Sequence, residues 1–313
     1  MKCECGSRNI NNRGFRNNKQ RTRCMDCGKW DSHYNSPSGA KILLFDIETT
    51  PMEVFVWGLF GNKYIQHGNV IKDWNVLSWS AKWLFDSEII SDIQTAKEAI
   101  NRDDKRVLKG IWDLLNQADI VIAHKTMLEK FIQIANTADE LIAHNGDRFD
   151  IKKLNTRFYL NGYEPTSPFR SIDTLKSIKK SFAFSSNRLD YLGKLITNKG
   201  KISTNFKLWT DCLEGNNEAL SNMLAYNEED VRLLEEVYLE IRPWVKPHPN
   251  LGVHCDGSVC PSCSSEDIIN NGKYYTTNTN KYQSYRCNNC GALSRSIDSE
   301  LSLRSRSELM RPL

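Results

Sequence analysis

The chain has 313 residues, of which 40% are hydrophobic and 26% are charged, and its net charge is +4. This composition is ordinary for a soluble protein with a hydrophobic core, and the length predicts about two domains, or one domain with attachments. No stretch approaches the roughly 18 apolar residues that a membrane-spanning helix needs, and the N-terminus "MKCECGSRN" lacks the apolar segment of a signal peptide. We therefore expect a cytoplasmic protein with no membrane partner.

The N-terminal segment contains four cysteines in a C-x-C…C-x-x-C pattern: Cys3, Cys5, Cys24 and Cys27. Thiolates this close in sequence can bind one metal ion from a tight turn, and two such turns complete the tetrahedral site that zinc prefers. Disulfides are the alternative, and they conflict with a cytoplasmic location. Residues 1–35 are therefore predicted to form a zinc ribbon, in which C-x-C replaces the more usual C-x-x-C of the first turn.

This N-terminal segment is also strongly basic, because its first 30 residues hold eight Lys or Arg side chains against two acidic ones. Such charge favours nucleic acid through counterion release, and the alternative is a solvated basic tail. The candidate contacts to nucleic acid are Arg13, Arg16, Lys19, Arg21 and Arg23. A zinc site closed by four cysteines has no open coordination position, so we expect the ribbon to position a substrate rather than to catalyse.

After the linker "SPSG" comes an apolar run, "ILLF", that is typical of a buried strand and is followed at once by Asp46 and Glu48. Residues i and i+2 of a strand point to the same face, so the two carboxylates should project together. Like charges this close are costly unless a cation lies between them, which makes the pair a candidate metal site. The runs "VFVWGLF" and "VIKDWNVLSWSAKWLF" predict further strands of an antiparallel meander.

The next part of the chain contains a tandem duplication of one helix–strand unit, near 105–144. The strand "ADIVIAHK" recurs twenty residues later as "ADELIAHN", and apolar positions of the preceding helix recur at the same shift. Only the second copy has an acidic residue six positions after its histidine, because Asp150 follows His144 whereas Lys130 follows His124. The second copy is therefore the one predicted to reach a functional site.

The two copies also differ in how well they suit a buried strand, because Ile120 of the first copy corresponds to Glu140 of the second. We nevertheless expect Glu140–His144 to lie beside the Asp46 strand, with a helix over 126–137 packed as its partner. The first helix–strand unit would then be displaced, or would add an edge to the sheet.

The stretch "HNGDRFD" predicts a turn followed by a helix, with Asp150 in the first turn or two of that helix. The segments "PFRSIDTLKSIKKSF" and "NRLDYLGKLI" predict two more helices, whose basic residues either line a substrate groove or form a solvated face. A last amphipathic helix is predicted over 217–241, where Tyr226 and Asp230 share one face. The alternative for this pair is a surface tyrosine beside a solvated acidic run.

Four further cysteines form C-x-x-C…C-x-x-C near the C-terminus: Cys260, Cys263, Cys287 and Cys290. They predict a second zinc ribbon over 252–300, in which the metal supplies folding free energy that so short a segment cannot obtain from a core. His254 and Cys255 lie just before this set, either as alternative ligands or as linker residues. Cys212 stands apart and is predicted to be a small buried apolar residue.

Three motifs occur in order along the middle of the chain: "FDIET" with Asp46 and Glu48, "HNGDRFD" with Asp150, and "YNEED" with Tyr226 and Asp230. Together they resemble the proofreading-type 3′–5′ exonucleases of the ribonuclease H-like superfamily, of the DEDD type and the branch with a tyrosine in its third motif. The resemblance implies an α/β fold over 40–245, a ribonuclease H-like mixed sheet flanked by helices, with a small zinc ribbon at each end. The layout also resembles phage exonuclease subunits that are flanked by zinc ribbons.

The resemblance implies two Mg²⁺ or Mn²⁺ ions, held by four carboxylates, in addition to two structural Zn²⁺. Asp46 would bridge both catalytic ions. Glu48 and Asp230 would hold the ion on the side of the nucleophile, and Asp150 would bind the other, partly through water. Tyr226 would orient the attacking water or the phosphate, since tyrosine is a poor general base at neutral pH. Asp173 and Asp190 are predicted to have structural roles.

The implied reaction is hydrolysis of the terminal phosphodiester of a single-stranded DNA end, with release of nucleoside 5′-monophosphates. The implied partners are DNA with a 3′ end and a DNA polymerase or another replication protein, in the host cytoplasm if the protein is phage-encoded. Two alternatives stay open: an exoribonuclease, and a zinc-ribbon nucleic-acid-binding protein whose nuclease domain is weak or inactive. Clustered carboxylates argue against a pure binding protein, because they would repel phosphates.

Overall fold

The fold is that of a computed structural model, which describes residues 5, 7, 9–16, 19–33, 39–60, 64–94, 126–200, 202 and 204–310. Cys3 and the first copy of the duplicated unit, up to residue 125, lie outside the described residues. The chain divides into two compact units: Lys41–Leu239, and Met1–Ala40 together with Glu240–Leu313. Each unit is described by itself below.

Three short strands form an antiparallel sheet near the N-terminus: β1 (Ile10–Arg16), β2 (Lys19–Cys24) and β3 (Trp30–His33). The sheet has the order β1-β2-β3, with Ile10 opposite Cys24 and Arg23 opposite Trp30. The pairing places Cys24 at the end of a strand, from which a two-cysteine turn can begin.

The described residues of the Lys41–Leu239 unit form seven strands: β4 (Ile42–Thr49), β5 (Glu53–Val54), β6 (Val70–Lys72), β7 (Val76–Trp83), β8 (Ile90–Ile93), β9 (Glu140–Ala143) and β10 (Arg170–Asp173). Five of them form one sheet in the order β10-β9-β4-β7-β8, while β5 and β6 pair separately. In the large sheet, β4 runs antiparallel to β7 and parallel to β9, and β9 runs parallel to β10. The sheet is therefore mixed, as the fold class predicts.

The second copy of the duplicated unit supplies the strand beside β4, which confirms the sequence prediction. Ile42 pairs with Glu140 and Leu44 with Ile142, in parallel register. The preceding helix, α1 (126–135), packs through Leu128 and Phe131 into the core of this sheet. The Phe131 ring lies 5.4 Å from the ring of Phe45 on β4, between ring centroids.

Five further helices of this part of the chain are α2 (Asp150–Leu160), α3 (Thr174–Ser181), α4 (Leu189–Thr197), α5 (Phe206–Leu213) and α6 (Asn217–Ile241). Short 3-10 turns occupy His67–Asn69, Arg242–Trp244 and Leu251–His254. The bounds of α6 agree with those predicted, and Asp150 is the first residue of α2, within the first turn or two that the sequence predicts. Among the described helices, none combines the length and the apolar character needed to cross a membrane.

Two sequence predictions in this unit are wrong. The run "VFVWGLF" does not form a strand of the meander, because only Glu53–Val54 is extended and Trp57 is 99% exposed. Pro51 lies two residues after the end of β4 and cannot donate a ladder hydrogen bond, so the chain leaves the sheet before the apolar run begins. The segment "PFRSIDTLKSIKKSF" begins with a strand rather than a helix, because Arg170–Asp173 pairs with β9.

A second three-stranded antiparallel sheet lies near the C-terminus: β11 (Ile268–Thr276), β12 (Lys281–Cys287) and β13 (Leu293–Arg295), followed by the short helix α7 (Leu303–Ser307). Ile268 pairs with Cys287 and Arg286 with Leu293. The only sizeable buried group among the described residues of this sheet consists of its cysteines with Ala292, so the segment lacks an extended apolar core of its own.

Candidate active site and metal centres

Three carboxylates meet where β4 ends and α6 passes it. One oxygen each from Asp46, Glu48 and Asp230 lies within 4.8 Å of the others. Asp46 and Glu48 are half-buried at alternate positions of β4, with the buried Ile47 between them, so the strand itself directs both carboxylates to one face. Asp230 is buried on α6. The strand and the helix thus bring together two motifs that lie far apart in the sequence.

A buried asparagine orients the first of these carboxylates. The Nδ2 of Asn227 donates a 2.7 Å hydrogen bond to Oδ2 of Asp46. Its Oδ1 accepts a 3.3 Å hydrogen bond from the hydroxyl of Ser78 on β7, the strand next to β4. Asn227 is not among the residues that the sequence motifs predict. Its position three residues before Asp230 on a helix is the available signal, since residues i and i+3 share a face.

Asp150 reaches the same strand but does not belong to the three-carboxylate cluster. It is buried, and its Oδ1 accepts a 3.3 Å hydrogen bond from the backbone N–H of Ile47. This contact ties the first residue of α2 to the segment of β4 that lies between Asp46 and Glu48. The structure therefore places the four predicted carboxylates along one stretch of β4, three of them within the reach of a single cation.

The turn before α2 explains why only the second copy of the duplication can deliver an acid to β4. Asn145 adopts a left-handed conformation with φ of 71°, and a Cβ added at Gly146 would lie 2.5 Å from that of Ala143. A side chain at this position would therefore displace the end of β9. Asp173 stabilises the turn, because its Oδ1 accepts a 3.1 Å hydrogen bond from the N–H of Asn145.

Asp173 and Asp190 have structural partners, as predicted. Asp173 also caps α3, accepting a 3.1 Å hydrogen bond from the backbone N–H of Lys176. Asp190 forms a 2.8 Å ion pair with Lys194 along α4.

An open cavity of about 650 Å³ adjoins Asp46. Its lining consists of Asp46, His144, Asn145, Leu175, Lys179, Asn187, Arg188, Leu189, Asp190 and Tyr226. Tyr226 is half-buried and makes an edge-to-face contact with Trp209 of α5, with 6.2 Å between ring centroids. The structure thus brings the predicted tyrosine and a predicted carboxylate to one cavity, whose volume is in the usual range for small-ligand sites.

The three carboxylates fit a hard divalent cation. Mg²⁺ and Mn²⁺ prefer oxygen ligands, and three negative groups within 4.8 Å are costly without a cation. Asp46 and Asp230 would supply oxygens from a strand and a helix that the core holds rigidly, with Asn227 fixing the orientation of Asp46.

The four C-terminal cysteines form a second cluster, of a different chemical type. The Sγ atoms of Cys260 and Cys290 lie 3.6 Å apart, as do those of Cys263 and Cys287, and all four residues are buried. A disulfide would require about 2.05 Å between sulfurs. Zinc at about 2.3 Å from four thiolates would place sulfurs about 3.8 Å apart at the edges of a tetrahedron. The cluster therefore has the geometry of a closed zinc site.

Hydrogen bonds around these thiols favour the thiolate at two of the four positions. Hydrogen bonding from Cys260 lowers the pKa of Cys263 to about 7 and lowers that of Cys287 strongly. The side-chain amide of Asn289 lies 3.6 Å from Sγ of Cys263, and the backbone N–H of Cys290 lies 3.5 Å from Sγ of Cys287. Cys255 and His254 are not part of this cluster, which favours the linker assignment.

The N-terminal cluster contains Cys5, Cys24 and Cys27, with Cys3 outside the described residues. The Sγ atoms of Cys5 and Cys24 are 3.6 Å apart. A backbone hydrogen bond from Cys27 lowers the pKa of Cys24 to about 6. Three sulfurs therefore gather at one point, and the C-x-C turn of the sequence brings at least Cys5 to it.

The basic residues proposed to contact nucleic acid lie on the two strands that precede this turn. Arg13 and Arg16 belong to β1, whereas Lys19, Arg21 and Arg23 belong to β2. Arg23 is exposed to solvent.

Comparison with known proteins gives one finding for the chain. Residues 111–241 match a family model described as RNase H superfamily. The matched segment contains Asp150, Tyr226 and Asp230, whereas Asp46 and Glu48 precede it. No curated protein matches the chain. The match and the mixed sheet flanked by helices together support a ribonuclease H-like nuclease domain, which implies a nucleic acid as substrate.

Proposed function

We propose that the protein is a metal-dependent 3′–5′ exonuclease that removes nucleoside 5′-monophosphates from single-stranded DNA ends. The observation that carries this proposal is the cluster of Asp46, Glu48 and Asp230 at the edge of an open cavity that also contains Tyr226. Hydrolysis of a phosphodiester needs an attacking water and relief of negative charge on the phosphate. Both requirements are met by oxygen ligands that hold divalent cations beside a cavity.

The residues of the site have distinct tasks in this mechanism. Divalent cations bound here, Mg²⁺ or Mn²⁺, would supply charge neutralisation at the phosphate and a lowered pKa for the attacking water. Asp46 is held for this task by Asn227, and Asp150 is held by the N–H of Ile47. Tyr226 lines the cavity and would hydrogen-bond the water or a phosphate oxygen.

The two cysteine clusters complete the proposal as structural zinc sites, one in each ribbon. Because each would be closed by four thiolates, neither would offer zinc an open position for catalysis. The basic N-terminal hairpin would hold the strand through its phosphates. A role in phage DNA replication or repair in the host cytoplasm, beside a DNA polymerase, would give such an enzyme its 3′ ends.

The test uses the full chain and a 5′-labelled single-stranded oligonucleotide in DNA and RNA versions, with Mg²⁺ or Mn²⁺ and with chelator. We expect stepwise shortening from a free 3′ end, none in chelator, and little on an oligonucleotide with a blocked 3′ end. Asp230→Asn should reduce the rate by at least about 100-fold, because it removes a ligand rather than a supporting group. Glu218→Gln makes the same charge change at an exposed position of the same helix and should retain the wild-type rate.

Three outcomes would contradict parts of this proposal. Undiminished shortening by Asp230→Asn would exclude the assigned metal site. Faster shortening of RNA than of DNA would make the protein an exoribonuclease. Tight binding of either strand without any cleavage by the wild-type protein would leave a nucleic-acid-binding protein with an inactive nuclease fold.

A further inference from the structure

We propose that Lys179 and Arg188 together bind a backbone phosphate of the substrate strand, adjacent to the one that is cleaved. This inference rests on the proposed function and adds to it the part of the site that sets the position of the strand. Both side chains are exposed and line the cavity that Asp46 and Tyr226 also line. Neither belongs to the three motifs on which the exonuclease resemblance depends.

The charges around the cavity leave these two cations available. Two acids share its lining, and each has another partner: Asp190 pairs with Lys194 at 2.8 Å, and Asp46 accepts a 2.7 Å hydrogen bond from Asn227. Within the described part of the chain, no ion pair is formed by Lys179 or Arg188. An anion that enters the cavity therefore meets two basic groups that do not have to release an internal carboxylate first.

The two cations come from different elements, and His144 joins those elements. Lys179 lies in the last turn of α3, and Arg188 is the residue that precedes the first turn of α4. The Nε2 of His144 lies 2.9 Å from the carbonyl oxygen of Asn187, and its Nδ1 lies 2.9 Å from Oγ1 of Thr174. A carbonyl can only accept, so Nε2 of His144 carries a proton and donates it to Asn187. The Thr174 hydroxyl also lies 3.2 Å from the carbonyl oxygen of Ala143, the last residue of β9, to which it donates.

This arrangement fixes the segment before Arg188 and the start of α3 to the end of β9. In the segment between α3 and α4, the rings of Phe182 and Phe184 stack with 5.0 Å between centroids. His144 thus connects both elements of the basic pair to the C-terminal end of β9, which runs parallel to the strand that carries Asp46 and Glu48. Leu175, Leu189 and Tyr226 provide an apolar wall against which a sugar or a base can pack.

A phosphate is the ligand that this combination of groups selects. The scissile phosphate would be neutralised by the metal cations that the carboxylate cluster holds, whereas Lys179 and Arg188 neutralise an anion directly. A nucleic-acid strand that places one phosphate at Asp46 must place its next phosphate nearby. This second phosphate is the anionic group of the substrate that Lys179 and Arg188 would stabilise. The pair would therefore favour substrates that have at least one phosphate beyond the scissile one.

The first experiment compares a dinucleoside monophosphate, which has only the scissile phosphate, with a trinucleoside diphosphate. The wild-type protein should prefer the longer substrate by about tenfold in kcat/KM, the factor expected for one charge-assisted hydrogen bond. Lys179→Gln/Arg188→Gln should abolish this preference. Lys152→Gln, which removes an exposed lysine that does not line the cavity, should keep it. An unchanged preference in the double variant would overturn the inference.

The second experiment measures binding of a single-stranded oligonucleotide in chelator, where no cleavage is expected. The slope of log K against log salt should fall by about 0.7 in the double variant, because that variant no longer neutralises the one phosphate that the two cations bind together. Lys179→Arg should retain the wild-type slope, and a thermal unfolding curve verifies that each variant is folded. Should the double variant not fold, the two single variants are compared with Lys152→Gln in the same way.

The two proposals fail in distinguishable ways. A wild-type protein that shortens no oligonucleotide contradicts the exonuclease proposal, and the salt slope still tests phosphate binding by the basic pair. A wild-type protein that shortens oligonucleotides, with the same salt slope in the double variant as in the wild type, contradicts only the role of Lys179 and Arg188.

Discussion

Glu140 places a carboxyl group in the interior of the main sheet. It is 1% exposed and lies on β9, where it pairs with Arg170 on one side and Ile42 on the other. Burial raises the pKa of Glu140 from its ordinary value of 4.5 to about 7, against the opposing charge of Arg170. The first copy of the duplication has Ile120 at the corresponding position, so the second copy carries a polar group where an apolar one would be better buried.

This residue predicts a pH dependence of stability with a definite sign. Between about pH 4.5 and 7 the unfolded chain loses the proton of Glu140 while the folded chain keeps it, so unfolding becomes easier as the pH rises. The raised pKa corresponds to about 2–3 kcal/mol of lower stability above pH 7, which Glu140→Gln should recover. Urea unfolding of the wild type and of Glu140→Gln at pH 5 and 7.5 measures how the free energy of unfolding of each protein changes with pH. Equal changes in the two proteins would contradict the role of Glu140.

The residues of the candidate site differ in how far the sequence predicts them. Asp46 and Glu48 are predictable because a strand fixes the relation between neighbours, and Tyr226 and Asp230 because a helix does. Asn227 is not predictable in this way, because its hydrogen bond to Asp46 joins residues 181 positions apart. Long-range contacts of this kind depend on how β4 and α6 pack, which local patterns do not specify.

At the scale of elements, one buried ion pair connects the helix that carries Asp230 to the sheet. Nζ of Lys82 on β7 lies 2.5 Å from a carboxylate oxygen of Glu235 on α6, and their side chains are 7% and 14% exposed. The other oxygen of Glu235 accepts a 2.7 Å hydrogen bond from the backbone N–H of Phe85, which has a left-handed φ of 70°. The pair therefore fixes α6 against both β7 and the turn after it.

Breaking this pair from one side should be far more costly than replacing it. Glu235→Leu leaves the Lys82 ammonium buried without its partner, so we expect the unfolding free energy to fall by about 3–5 kcal/mol. Lys82→Met/Glu235→Leu removes both charges and should recover most of that decrease. A double-mutant cycle by chemical denaturation measures the coupling between the two sites. Additive effects of the two single substitutions would show that the ion pair does not couple α6 to β7.

Elements with strong periodicity are predicted well, and elements defined by their neighbours are not. The 25 residues of α6 carry a continuous apolar stripe, and its predicted bounds agree with the structure. By contrast, β10 has four residues, of which only two are buried, and it is extended because β9 offers it a hydrogen-bonding edge. The helix α5 is not predicted, and only Cys212 of its eight residues is buried. The aromatic run after Pro51 is predicted to be a strand because it is apolar, but its aromatic side chains are exposed to solvent.

At the scale of the whole molecule, the duplication does not separate Asp150 from the strand that carries Asp46 and Glu48. The second copy pairs with β4 in register from Ile42 to Leu44, and Asp150 reaches the N–H of Ile47. The family match begins within the duplicated region, at residue 111, whereas β4 comes before it. The site therefore combines a strand from outside the matched segment with two helices from inside it, and the turn at Asn145–Gly146 leads from β9 into the helix that carries Asp150.

The terminal cysteine clusters predict a defined metal content for the complete chain. The protein purified without chelator should contain about two zinc ions per chain, because the C-terminal cluster has four cysteines and Cys3 would complete the N-terminal one. Cys290→Ser should release about one of them, since the sulfurs of Cys260, Cys263 and Cys287 alone no longer close a tetrahedron. Cys255→Ser is the matched control, because Cys255 lies five residues before Cys260 but outside the cluster, and it should retain both ions.

Elemental analysis gives the zinc content, and near-ultraviolet circular dichroism reports the packing of Tyr275 and Tyr282, whose rings lie 6.4 Å apart. Removal of zinc should weaken that signal, because the cysteines are the main buried group of this sheet. Wild-type protein that contains no zinc, or Cys290→Ser protein that keeps both ions, would contradict the zinc assignment.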